Sequence, residues 1–144
     1  MKYHAYTPGA TGGGAFTSRS SARPSFVPTT CAARCALTHQ ELLDAAHIAP
    51  DATPDGIASV RNGLALCKLQ HSAFDANILG ISPDLEVSIR ADLLAEVDGP
   101  MLRHGLQDRH GERLRVIPHV RAERPDLALL ASRFAAFHAA SEAS

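Results

Sequence analysis

Two histidines, an asparagine and two aspartates stand within residues 42–75, LLDAAHIAPDATPDGIASVRNGLALCKLQHSAFD. His47 closes a short apolar run, Asn62 follows a turn-rich loop, and His71 comes after a gap of eight residues. An imidazole has an unperturbed pKa near ~6.5, so its neutral form is available as a proton acceptor at pH 7. Imidazole nitrogens and carboxylate oxygens are also common ligands of divalent cations. The residues alone admit plainer readings. His47 also reads as a partly buried histidine ending a strand, and Asn62 as a helix N-cap. His71 reads as an exposed helical histidine, and Asp44 as a surface or turn-bonding carboxylate.

Spacing limits which of these can share a site. Asn62 and His71 are nine positions apart, and nine helical steps of about 100° would set them on opposite faces of one unbroken helix. Gly63, directly after Asn62, suits a break in the backbone there. Asp75 lies four residues after His71 and shares its helical face, where it could orient the imidazole or join a cation with it. Asp44 lies three residues before His47, so in a strand it faces the same way as Ala46 and opposite to His47.

His, Asn and His in this order and spacing resemble the HNH endonuclease signature, and the words AAHI, NGLALC and HSAFD resemble its restriction-type members. The resemblance runs over residues 35–89 and continues more weakly through GPMLRHGLQ. It implies an α+β fold of the ββα-metal (HNH) kind, a β-hairpin packed on a helix. It also implies metal-dependent hydrolysis of DNA phosphodiester bonds. Such cleavage needs a nucleophilic water, charge stabilisation at phosphorus and help for the leaving oxygen. By resemblance His47 is the general base, at the end of the first motif strand. Asn62 lies in the loop or first turn before the helix and orients the base or the metal site through its amide. His71 binds the metal or the phosphate. The implied catalytic set is His47, Asn62 and His71, and the implied metal set is Asp44, His71 and Asp75. The cofactor is a divalent cation, Mg²⁺ first and Mn²⁺ next, and the partner is a DNA substrate.

Two positions depart from the commonest pattern. Ala46 stands where many HNH proteins carry a metal-binding Asp or His, which makes Asp44 the substitute candidate. Gln70 stands where relatives often show another His. A structural zinc is not expected: Cys35 is followed by Thr38 and Cys67 by Gln70, so both Cys-x-x-Cys pairs are broken. Cys31, four residues before Cys35, does not complete a four-ligand set, and the cysteines read as small core residues.

At 144 residues the chain can bury one modest core. Its net charge of −1 and pI near 6.7 give no global basic footprint, so a nucleic-acid partner would require a local basic face. The mixed charges of the second half read as an ordinary solvated surface. No run of 18 apolar residues suggests a membrane span, and the start lacks the apolar region of a secretory signal. Three cysteines, an odd number, argue against a disulfide framework, and cytoplasmic residence is expected. Residues 1–30, rich in Gly, Ser, Thr and Pro, read as a disordered, low-complexity tail. Residues 35–89 form the expected nuclease domain and residues 90–144 a C-terminal helical extension. Members of the family usually carry more folded sequence upstream. That implies a shortened or mis-started N-terminus, with a homodimer or a missing N-terminal partner domain as the matching expectations.

Within this frame, residues 35–37 read as a strand, 38–41 as a polar turn and 42–48 as a second strand closed by Pro50, with a helix over 41–47 as the alternative. Residues 51–59 are a loop punctuated by Pro and Asp-Gly. Leu64, Leu66, Leu69, Ala73 and Phe74 give residues 63–77 mostly helical spacing. A hairpin over 79–89 turns at Ser82-Pro83-Asp84, and residues 92–97 and 100–110 read as short helical pieces. Residues 114–120 read as strand or extended, and Pro125 opens a last helix with Leu127, Leu130, Phe134 and Phe137 as its stripe. Two other functional readings stay open: a catalytically impaired nucleic-acid-binding relic and a truncated interaction module.

Overall fold

The computed structural model describes residues 37 and 39–143, so the expected tail and most of the expected strand at 35–37 lie outside the described residues. A 3-10 turn over Gln40–Leu42 leads into β1 (Leu43–His47). Its partner is β2 (Gly63–Cys67), antiparallel, with Asp44 opposite Leu66, Ala46 opposite Leu64 and His47 opposite Gly63. The helix expected over 63–77 is therefore two elements, β2 and then α1 (Lys68–Asp75). Leu64, Ala65 and Leu66 are consecutive and all buried, which a strand covered on both faces achieves and a surface helix does not. Hydrogen bonding to β1 then decides the matter, because local spacing is a weak prior against tertiary pairing.

The helix α1 lies on this hairpin and buries Gln70, Ala73 and Phe74. It ends in a left-handed cap: Asn77 has φ of 54°, its amide donates to Phe74 O (3.2 Å), and the Ile78 amide reaches back to Ala73 O (2.8 Å). Asparagine tolerates this conformation better than most side chains. A second antiparallel pair, β3 (Leu79–Ile81) and β4 (Val87–Ile89), turns at Ser82-Pro83-Asp84 as the sequence predicts. Then come α2 (Ala91–Ala95), α3 (Pro100–Gly105) and a 3-10 turn at Gln107–Arg109. Residues 114–120 are extended but irregular, with an isolated bridge between Glu86 and Arg113 just before them.

The last helix, α4 (Leu127–Glu142), is capped by Asp126, whose Oδ1 accepts from the amides of Ala128 (2.9 Å) and Leu129 (3.4 Å). Pro125 thus precedes the cap instead of opening the helix: a carboxylate can satisfy the orphan amides and a proline ring cannot. Leu127 of the expected stripe is 56% exposed, and Leu129 packs against the core in its place beside buried Leu130 and Phe137. Arg133 ties α4 to α1. Its Nη2 donates to Phe74 O (2.6 Å) and Asp75 O (3.4 Å), and its guanidinium lies 4.9 Å from the centre of the Phe74 ring. Burial lowers the pKa of this guanidinium, against the opposing pull of Asp75. Among the described residues no helix is long and apolar enough to cross a membrane.

The seam between α4 and β3 closes at one glycine. A Cβ on Gly80 would lie 2.6 Å from Phe137 Cγ, and that ring is buried. Gly80→Ala should therefore force the ring or the helix outward at a cost of about 1–3 kcal/mol. For a domain of this size the melting temperature should fall by roughly 5–15 °C, read by thermal denaturation followed by circular dichroism.

Candidate active site

The loop between β1 and β2, residues 48–62, is shaped by short-range bonds. The Thr53 amide and hydroxyl both donate to Pro50 O (2.9 and 2.7 Å), and the Gly56 amide donates to Thr53 O (2.9 Å). Any side chain at Gly56 would collide with the Pro50 carbonyl oxygen, so only glycine closes this turn. Beneath the loop sits Asn62, 1% exposed. Its Oδ1 accepts from the Ala49 amide (2.8 Å), and its Nδ2 donates to Ala49 O and Ile57 O (3.2 Å each). Its own amide reaches Ser59 O (3.0 Å) and Ser59 Oγ (3.2 Å), and its carbonyl accepts from Ile48 N (3.0 Å). Asn62 closes a 3-10 turn at Val60–Asn62, six positions before the first residue of the helix that carries His71, so it caps no α-helix.

His47 is the last residue of β1, beside the segment that Asn62 clamps. Its Nε2 is 3.3 Å from Asp51 Oδ1, and its side chain is 38% exposed. Asp44, on the opposite face of the strand, turns towards α1. Its Oδ1 accepts from Lys68 Nζ (2.9 Å), and its Oδ2 is 3.4 Å from His71 Nδ1. The other ring nitrogen of His71, Nε2, is 3.3 Å from Asp75 Oδ2. Asp44, Lys68, His71 and Asp75 thus form one connected cluster. His47 and Asp51 form a second, three strand residues or roughly 10 Å along β1. The Asn62 side chain bonds main chain only, on the loop that joins β1 to β2.

The Asp44 carboxyl is held below its ordinary value by the Lys68 ammonium, with desolvation opposing and His71 adding to the effect. Lys68 and Asp51 are the residues that sequence reading missed. Lys68 lies three positions before His71, and Asp51 four after His47. Both are exposed charges on the chain, and nothing but the fold brings them to these partners.

The residues of this cluster that could share a cation are set by the valence of His71. A neutral imidazole donates from one nitrogen only, so at least one of the two facing carboxylates meets a lone pair. A nitrogen lone pair and a carboxylate oxygen 3.3–3.4 Å apart are a donor pair for one ion. The two ring nitrogens point apart, so one ion would take His71 with either Asp44 or Asp75. Among the described residues no group of three or more His, Cys, Asp or Glu is arranged as a ready metal cage. Cys67 is half-buried at the end of β2, and Cys31 and Cys35 lie outside the described residues.

Two outcomes follow from this geometry. Asn62→Ala should leave the Ala49 amide and two carbonyls without partners and cost on the order of 3 kcal/mol. The Ala49 amide should then exchange with solvent much faster than in the wild type, as measured by hydrogen exchange. Asp44 has its folded pKa lowered, so its contribution to stability is present above the unfolded value of 3.8 and is lost as pH falls through the folded value. Lys68→Met should raise the Asp44 midpoint, moving that loss to higher pH, as followed by carboxyl-carbon NMR.

Residues 31–82 match the family model described as HNH endonuclease, a span that takes in β1, β2, α1 and β3. No curated protein and no solved structure matches the chain. The match and the hairpin-on-helix arrangement agree on the same residues: the segment 31–82 is similar to the HNH endonuclease family, a likeness that points to a nuclease-type action on nucleic acid.

Proposed function

We propose that the chain is a metal-dependent endonuclease that hydrolyses DNA phosphodiester bonds with His47 as general base. The observation that carries this reading is the placement of His47. It stands half-exposed at the end of β1, beside a loop whose main chain is fixed by three bonds from one buried asparagine side chain. A base works when its acceptor atom is held at a fixed place and can reach a water. Asp51 supplies the counter-charge for the imidazolium that forms when His47 accepts the proton. His71, with Asp44 or Asp75, would hold a divalent ion, Mg²⁺ or Mn²⁺, which supplies charge stabilisation at the phosphate. Lys68 keeps the Asp44 carboxylate ionised and oriented beside His71.

Plasmid nicking with a metal titration tests the reading. Wild-type protein should nick supercoiled DNA with Mg²⁺ or Mn²⁺ and stop in EDTA. His47→Ala should lose about 10²–10⁴-fold in rate at every metal concentration, because it lacks a proton acceptor. His71→Ala should recover part of its activity as metal is raised. Wild-type-like nicking by His47→Ala would sink the assignment.

A further inference from the structure

Ten lysines and arginines fall within the described residues, and their partners divide them sharply. Arg61 pairs with Asp126, Lys68 with Asp44, Arg90 with Asp92, Arg103 with Asp108 and Arg109 with Glu112. Arg133 is spent on the carbonyls at the end of α1. The remaining four all lie in one strap, residues 113–124, RLRVIPHVRAER, which carries four arginines against one glutamate in a chain of net charge −1. Leu114 and Pro118 are buried and anchor the strap, so Arg113, Arg115, His119, Arg121 and Arg124 are left on its exposed side. Arg124 donates to the carbonyls of Pro118 and His119 within the strap, which shapes it without neutralising it. Arg113 donates to Asp84 O and bridges Glu86 by main chain, so that end has acidic neighbours. Arg115 and Arg121 have no partner among the described residues.

The strap also has a direction. Its start lies on the turn of the β3–β4 hairpin, where the Leu114 amide donates to Leu85 O (2.9 Å). Its end, the 3-10 turn Arg121–Glu123, packs against Val60–Asn62, and Asn62 is the residue that clamps the loop after His47. An unneutralised basic strip that ends on the turn holding the loop after His47 is what a phosphate backbone leading to the proposed base requires.

We infer that the strap 113–124 is the surface that tracks the duplex DNA backbone, with Arg115 and Arg121 contacting phosphates. The inference rests on the nuclease reading above and adds to it the route by which substrate lies on the protein. Each phosphate contact that is removed should lower the magnitude of the salt dependence of log K by about 0.9.

The test is binding of a fluorescent 20-bp duplex at several salt concentrations in EDTA, beside nicking of plasmid in Mg²⁺. Arg115→Ala with Arg121→Ala should weaken binding roughly tenfold at low salt and reduce the slope by about 1.8, with the melting temperature unchanged because both side chains are exposed and unpaired. The corresponding pair of glutamine substitutions should do the same. Arg103→Ala, which removes an exposed arginine outside the strap, should leave the slope as it was. If wild type nicks plasmid while the double variant keeps wild-type affinity and slope, the strap is overturned and the nuclease reading stands. If wild type neither binds nor nicks DNA, both fail. If the double variant loses binding only to an RNA duplex of the same sequence, the assignment to DNA is overturned.

Discussion

One buried asparagine side chain sets the geometry on which the rest of the site depends. The Asn62 amide makes three main-chain bonds across a span of thirteen residues, to Ala49 twice and to Ile57 once. A side-chain amide suits the task because it offers an acceptor and a donor together, and both are needed to hold an N–H and a C=O of the same residue. Burial at 1% exposure makes each bond expensive to break, since no water is at hand to replace it. The loop is thereby fixed at both ends, by Asn62 after it and by β1 before it. His47 stands at that junction with its ring towards solvent.

Around this clamp the hairpin and α1 divide the chemistry between two ends of one strand. The end near Asn62 carries His47 and Asp51, and the other carries Asp44 facing Lys68 and His71. The pleat of β1 makes this division unavoidable, because Asp44 and His47 fall on opposite faces. Nothing among the described residues of 31–82 supplies a comparable excess of unpaired positive charge, since Arg61 and Lys68 both face carboxylates. The C-terminal half does so, and it is held on the hairpin and α1 by apolar contacts and one arginine: Phe137 fills the space over Gly80, Leu130 joins the common core, and Arg133 hydrogen-bonds the end of α1.

Much of the arrangement was legible in the chain. The order His47, Asn62, His71 pointed to the family. The nine-step count showed that Asn62 and His71 could not share a site on one unbroken helix, and the Ser82-Pro83-Asp84 turn marked the second hairpin. The same count could not say what replaces the helix. Leu64, Ala65 and Leu66 are compatible with either a strand or a helix, and only pairing with β1 selects the strand. Local propensity carries no information about a hydrogen-bond partner some twenty residues away. The start of α4 was placed two residues early, at Pro125 instead of Leu127, because proline suits a first helical position, and the start is decided by the Asp126 carboxylate reaching the Ala128 and Leu129 amides. The sequence by itself determined which residue types would do the chemistry, since these are properties of the side chains. Tertiary structure alone decided that Lys68 would sit on Asp44, that Asp51 would face His47, and that four arginines without carboxylate partners would line one strap. Charges find or lose partners across space, and that pairing is settled only when the chain has closed.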